Sequence, residues 1–244
     1  MVPIQAVMAA WIKDQDLLDL TKQSIDSYNQ VKGMELVIVD NASPMGGGYL
    51  RSEAGIYIRN PKNLGYAPAM NQGLKLTTSK YVALAENDIR VSPNILKVAT
   101  DILDKDGEVG SVHFRMVPYD EPFSFGNDVW VEGKERWCTI SFMVWRRLAL
   151  PQGFFDEGYI TANYEDWDVQ HHSRHALGWK SAYTNLACYQ HKDSYTQNQL
   201  DQTQRAKEAK ENREYFRRKW GAYPEAIWEG LYFKQMMQPW RPFP

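Results

Sequence analysis

Apolar residues along the chain come in two spacings. Short runs within Ile4 to Trp11, Glu35 to Val39, Gly55 to Arg59, Tyr81 to Glu86 and Val109 to Phe114 carry strand-forming residues with few interruptions. Between them, Leu17, Leu18, Ile25 and Tyr28, and later Ile95, Leu96, Ala99, Ile102 and Leu103, recur at helical spacing on one face. Asp14 stands where an N-cap belongs, and Ser92-Pro93 reads as an N-cap followed by a proline at the first helical position. Gly107 closes the second helix. Strands alternate with helices, which predicts an α/β fold with a mostly parallel, twisted central sheet and helices on both faces. Ligands in such sheets bind beyond the carboxyl ends of the strands, where Asp40 and Asp88 lie.

The second half is less regular. Pro118 to Asn127 reads as a surface loop, and Val129–Val131 with Arg136–Trp145 as a hairpin around Glu132-Gly133-Lys134. Another loop, Pro151 to Tyr159, leads into Tyr164-Glu165-Asp166-Trp167-Asp168-Val169, whose acids suit the positive end of a helix that Gly178 ends. A short strand follows around Ser181 to Tyr189, then a long helix from Asp201 to Trp220 with interleaved charges. The tail from Pro224 to Pro244 combines a short amphipathic helix with Trp240 and prolines.

Composition narrows the class. A chain of 244 residues with 43% hydrophobic and 24% charged residues is ordinary for a globular protein, one domain with embellishments. The net charge of -2 argues against holding nucleic acid by bulk electrostatics. Two cysteines, Cys138 and Cys188, lack metal-ligand spacing and exclude a disulfide framework. No apolar stretch reaches the roughly 18 residues of a membrane helix, and no signal-type segment opens the chain, so a cytoplasmic location is expected.

Three stretches offer chemistry. Glu86-Asn87-Asp88 presents carboxylates where a buried strand surfaces, a position suited to a metal and equally to capping the next turn. Pro44-Met45-Gly46-Gly47-Gly48 is a flexible connection, either plain or near a site. In Asn63 to Gly73, Gly65 permits close backbone approach, Pro68 suits a first helical turn, and Asn71 faces whatever lies above the sheet.

Taken together, these residues resemble family 2 glycosyltransferases with the Rossmann-like GT-A fold, especially the rhamnosyltransferase-like branch. Val37 to Ser43 looks like that family's first nucleotide-binding strand, and Asn63-x-Gly65-Tyr66-Ala67-x-Ala69-x-Asn71-x-Gly73 is similar to a family signature. Gly153-Phe154-Phe155-Asp156-Glu157 through Glu165-Asp166-Trp167-Asp168 and the closing Phe216-x-x-Lys219-Trp220-Gly221 resemble two more, in the family's order. The chain departs from the usual D-x-D by carrying Glu86-Asn87-Asp88, so the last acid alone is matched.

The resemblance implies transfer of a sugar from a nucleotide diphosphate of UDP, dTDP or GDP type to an acceptor hydroxyl, with inversion. It implies Mn2+ or Mg2+ held by Asp88, Glu86 and His191, and a nucleotide sugar contacted by Asp40, Asn41, Asn63, Gly65, Asn71, Asn87, Glu165 and Lys192. Asp166 is the implied general base, since a carboxylate must take the proton of the attacking hydroxyl. Arg59 or Lys62 supplies a possible cation near the donor, and Ser194 and Thr196 are weaker diphosphate candidates. His113, His171, His172 and His175 have no such position and read as structural. Trp130, Trp137, Trp145, Phe154 and Tyr159 either line the acceptor side or pack the core.

The implied division is a domain over residues 1–198, with a nucleotide-sugar half to about 115 and an acceptor half over 116–198, and a helical extension over 199–244 packed on it. The expected acceptor is a saccharide or glycoconjugate. Two other readings stay open: a catalytically weak nucleotide-sugar or glycan-binding module, and a phage-type enzyme acting on hydroxylated DNA bases, for which the basic stretch Arg213 to Lys219 is the sole pointer.

Overall fold

The computed structural model describes residues 4–132, 141–192 and 202–223. Cys138, Trp137, Ser194, Thr196 and the tail from Pro224, with Trp240, lie outside the described residues.

The first half runs β1 (Ile4–Ala10), α1 (Gln15–Asn29), β2 (Met34–Asp40), α2 (Gly47–Glu53), β3 (Ile56–Arg59), α3 (Tyr66–Leu76), β4 (Tyr81–Ala85), β5 (Ile89–Val91) and α4 (Ile95–Lys105). The second half adds β6 (Val109–Pro118), β7 (Val129–Glu132), β8 (Phe142–Arg146), α5 (Glu165–His171), a π turn (His172–Ala176), β9 (Lys180–His191) and α6 (Gln202–Trp220). Asp14 caps α1, its Oδ1 accepting from the Leu17 amide at 2.9 Å.

The strands form one sheet in the order β3-β2-β1-β4-β8-β6-β9-β5, with β7 on β9. The β3-β2-β1-β4 half is parallel throughout. Beyond β4 the sheet is mixed: β8 runs antiparallel to both β4 and β6, β6 and β9 are parallel, and β5 and β7 run antiparallel to β9.

Alternate residues of each strand enter two cores. Ala6, Met8, Ala10, Ala83 and Ala85 pack with Leu17, Leu18 and Ile25 of α1, Leu50 of α2 and Ile95 and Leu103 of α4. Val7, Val82 and Leu84 pack on the other face with Met70 and Leu74 of α3 and Val169 of α5. Helices thus cover both faces, and α3 lies so close that a Cβ on Gly73 would come within 2.4 Å of Val7 Cγ1. Among the described residues no helix is long and apolar enough to cross a membrane.

Three local expectations are corrected. The hairpin joining Val129–Val131 to Arg136–Trp145 does not form: β8 is almost entirely buried and takes a central position between β4 and β6, while β7 pairs with β9. The helix expected to start at Ser92-Pro93 starts at Ile95, because the Ser92 hydroxyl instead accepts from the Cys188 amide at 3.2 Å. The glycine run is not only a loop, since α2 begins at Gly47. Of the two readings of the aromatic residues, Trp145 and Tyr159 take the core: Trp145 is 1% exposed with its indole N–H on Met143 Sδ, and Tyr159 is 4% exposed.

Candidate active site

The parallel strands β1, β2 and β4 run side by side, so β2 and β4 deliver Asp40 and Glu86 to the same edge of the sheet. From Ala85 the chain turns through Glu86, Asn87 and Asp88 into β5, a strand that sequence patterning does not separate from β4. Pairing of β5 with β9 sets Ile89 opposite His191, and the Lys192 amide donates to the Asp88 carbonyl at 3.0 Å. That register brings His191 Nε2 to 3.5 Å from Glu86 Oε2 and 3.5 Å from Asp88 Oδ1. One ligand atom from each of the three residues lies within 4.8 Å of the other two.

Two carboxylates and an imidazole converging at this distance fit a hard divalent cation with mixed oxygen and nitrogen ligation. Burial, then the Asp88 charge, pushes the Glu86 carboxyl up to about 8. The Ser141 hydroxyl lies 3.2 Å from His191 Nδ1 and also hydrogen-bonds Glu86. An Nδ1–H donating to Ser141 leaves the Nε2 lone pair facing the two carboxylates, the tautomer a metal ligand needs. Asn87 turns away, donating from Nδ2 to Thr21 Oγ1 of α1 at 3.0 Å, and the Tyr28 hydroxyl fixes the turn through the Glu86 carbonyl at 2.5 Å.

At the end of β2, Asp40 is fully buried. Its Oδ1 accepts from the Ser43 amide at 2.8 Å, and its Oδ2 accepts from the Tyr57 hydroxyl at 2.8 Å and from the Arg59 guanidinium. Asn41 next to it donates to Asn63 Oδ1 at 2.8 Å and to the Gly65 carbonyl at 3.0 Å, and accepts from Asn60 and the Leu64 amide. Asn63 also holds the Gly65 amide at 2.9 Å. Gly65 has φ +88°, and a Cβ there would lie 3.3 Å from the Thr161 backbone, so the residue type lets α3 abut the 160s loop.

The 160s loop is strained: Thr161, Asn163 and Tyr164 all have positive φ. Asn212 of α6 holds it, donating to the carbonyls of Ile160, Ala162 and Asn163 and accepting from the Ile160 amide. Asn71 clamps the preceding turn, exchanging bonds with the Phe155 backbone and donating to Glu157 at 2.9 Å. Asp168 is buried and saturated by Tyr159, Lys219 and Trp220, so it anchors α6 rather than facing the cleft.

Glu165 and Asp166 remain, at the first turn of α5. Burial outweighs the nearby backbone N–H groups and pushes Asp166 up to about 7. Burial and the Asp166 charge also raise Glu165 well above the carboxylate range. A cleft of about 260 Å³ is lined by Glu86, Glu165, Asp166, Tyr66, Tyr164 and Trp167, among others.

The structure therefore joins Glu86, Asp88 and His191 into one cluster, puts Asp166 and Glu165 in the lining of the same cleft as Glu86, and links Asn41, Asn63 and Gly65, next to Asp40, into a second polar group. Asn71 and Asn87 make bonds to the protein itself. Lys192 is exposed, 3.9 Å from Asp120 and over the Tyr119 ring. Ser141, Tyr57 and Asn212 are parts of the site or its support that sequence reasoning missed. Tyr57 follows from its face on β3 two residues before Arg59, whereas Ser141 and Asn212 carry no pattern.

The family described as Glycosyl transferase family 2 matches residues 12–174, more than half of the chain. No curated protein sequence matches. Among solved structures, residues 1–349 of S. aureus TarS superpose with a TM-score of 0.60 at 13% identity, over 90% of this chain and 74% of that one. The mannosyltransferase PcManGT from Pyrobaculum calidifontis, in complex with GDP-Man and Mn2+, gives 0.60 at 16% identity, over 79% of this chain and 58% of that one. GalNAc-T7 with UDP, GalNAc and Mn2+ gives 0.59 at 13%, over 78% and 44%. At these identities the likeness is one of fold, and it is the GT-A fold.

Proposed function

This chain belongs to glycosyl transferase family 2, and we propose that it transfers a sugar, with inversion, from a nucleotide diphosphate to a hydroxyl of a saccharide or glycoconjugate. It is a glycosyltransferase. The observation that carries the finer reading is the cleft lined by both Asp166 and Glu86, the latter one member of the Glu86–Asp88–His191 cluster.

Such a transfer makes one bond and breaks one. The acceptor oxygen attacks the anomeric carbon, the bond from that carbon to the diphosphate oxygen breaks, and the diphosphate leaves with the electron pair. Glu86, Asp88 and His191 would hold a divalent cation, which would supply positive charge to offset that of the departing diphosphate. Asp166 takes the acceptor's proton, and its carboxyl, raised to about 7 by burial, is matched to accept a proton near neutrality. Asp40, Asn41, Asn63 and Gly65 form the nucleotide end of the site, in the half up to about residue 115. There Arg59 neutralises Asp40 and offers donors of its own, and the exposed Lys192 is the cation we assign to a diphosphate oxygen. The nucleotide is of UDP, dTDP or GDP type; TarS has been solved with UDP-GlcNAc and PcManGT with GDP-Man and Mn2+.

Glu86, standing in the place of the first acid of the usual D-x-D, joins the cluster through its carboxylate, which favours an enzyme over a weak binding module. For a DNA acceptor the pointer weakens, because Arg213 and Arg217 stack on Tyr223. Binding of a panel of nucleoside diphosphates and nucleotide sugars, with and without Mn2+, tests the proposal; it fails if none binds in a metal-dependent way.

A further inference from the structure

The Glu86–Asp88–His191 cluster hangs on a short ladder. β5 is three residues long, stands at the end of the sheet and pairs with β9 through Ile89↔His191, Arg90↔Gln190 and Val91↔Tyr189. Ile89, Val91 and Tyr189 enter the core, so Arg90 and Gln190, opposite each other in the ladder, turn to the other face. On the far side of β9 the chain leaves β6 at Pro118, opposite His191, and turns at residues 118–121, where the Glu121 amide donates to the Pro118 carbonyl at 3.1 Å. Arg90 reaches this turn from β5, donating to the Tyr119 carbonyl and lying 4.0 Å from the centre of its ring, and Gln190 donates to the Glu121 carbonyl. Tyr119 in turn donates from its hydroxyl to Gln23 of α1 at 2.9 Å. The turn thus straddles the strand that carries His191 and is tied to both members of one register pair.

We propose that Arg90, together with Gln190, is a positioning residue for the divalent-cation site, fixing through this turn the β5–β9 register on which Asp88 and His191 converge. Register decides whether the site exists. A slip of one residue would carry Asp88 about 3.4 Å along β9 and turn side chains to the opposite face, whereas the ligand distances of a metal site hold to about 0.2 Å. Three residue pairs at a sheet end belong to the part of a fold that opens most readily. Bonds from both strands to a third segment oppose that opening, because neither strand can slide without breaking them. Arg90 and Gln190 act through the backbone of the ladder, and the Lys192 amide, which donates to the Asp88 carbonyl at 3.0 Å, reports its state. This inference rests on the reading of Glu86, Asp88 and His191 as a metal site.

The experiment is calorimetric titration with Mn2+ of the wild type, Arg90→Met, Arg90→Lys and Gln190→Leu, with Arg146→Met as the control. Arg146 likewise donates to backbone carbonyls, those of Leu103, Asp106 and Val109, but it stands opposite Tyr81, at the end of β4 away from Glu86. Arg90→Met and Gln190→Leu should each bind Mn2+ roughly 10-fold more weakly, a loss of the size that changes around the ligands of a metal site cause. Arg90→Lys keeps a donor and a cation for the Tyr119 ring and should recover part of the affinity. Arg146→Met should bind Mn2+ as the wild type does, however far its melting temperature falls. Without metal, the Lys192 amide should lose exchange protection in Arg90→Met and keep it in Arg146→Met. Wild-type Mn2+ affinity in Arg90→Met, or in Gln190→Leu should Arg90→Met not fold, overturns the inference and leaves the metal site standing. Equal losses in the Arg146→Met control mark a general loosening and overturn it too. A wild type that takes up no Mn2+ removes the metal site, and this inference with it.

Discussion

His191 Nε2 stands 3.5 Å from Asp88 Oδ1 because β5 and β9 pair antiparallel with Ile89 opposite His191. Strand pairing, rather than a local motif, builds this cluster. Asp88→Asn and His191→Ala should each weaken Mn2+ affinity by roughly 10-fold or more, since loss of outer-shell partners alone weakens metal sites 10- to 100-fold. Mn2+ titration monitored by calorimetry checks this, and unchanged affinity in both variants would remove the cluster as a metal site.

Ser141 is placed to fix the His191 tautomer by accepting from Nδ1–H. Ser141→Ala should lower Mn2+ affinity by about 10-fold without altering the fold, and Ser141→Thr, which keeps the hydroxyl, should restore much of it. Equal affinities in all three proteins would leave Ser141 without this role.

Asp166 must be ionised to accept a proton, so kcat/KM should rise with pH and level off above about 7. Asp166→Asn should lose this limb and lower kcat by roughly 10²- to 10⁴-fold while nucleotide-sugar affinity persists. Stability should move the other way. The folded pKa of Asp166 is raised from 3.8 to about 7, so its contribution favours the fold at acid pH and is lost as pH climbs through 7. At pH 8 Asp166→Asn should therefore melt above the wild type, an advantage that shrinks toward pH 4. A pH–rate profile unaltered by the substitution would assign the base elsewhere.

Asn212 ties α6 to a loop whose backbone is strained at Thr161, Asn163 and Tyr164. Asn212→Ala strands the Ile160 amide and several carbonyls and should destabilise the protein by about 2 kcal/mol in urea unfolding. The cleft it frames should loosen as well, raising KM for the nucleotide sugar. A stability within about 0.5 kcal/mol of wild type would show that the loop holds itself.

The parallel half of the fold was legible because buried central strands such as Leu36-Val37-Ile38-Val39 and Val82-Ala83-Leu84-Ala85 are continuous apolar runs that end in polar residues. Asp40 and Asp88 could therefore be placed on one sheet edge from pattern alone. The mixed half was not, because β5 spans only Ile89–Val91 and the apolar run of β8 does not say which neighbours it takes. Ser141 and Asn212 look like any polar residue until pairing and helix docking bring them in. Asn71 and Asn87 lie near the expected edge, yet direction decides their partners: one faces Phe155 and the other Thr21.

The most direct test is turnover of UDP-, dTDP- and GDP-sugars by the purified protein with Mn2+ or Mg2+ and a panel of saccharide acceptors. The account predicts that one nucleotide class is consumed, by transfer or slow hydrolysis, that chelation stops it, and that Asp166→Asn stops it while still binding the donor. Consumption of no nucleotide sugar with either metal, by a folded protein, would contradict it.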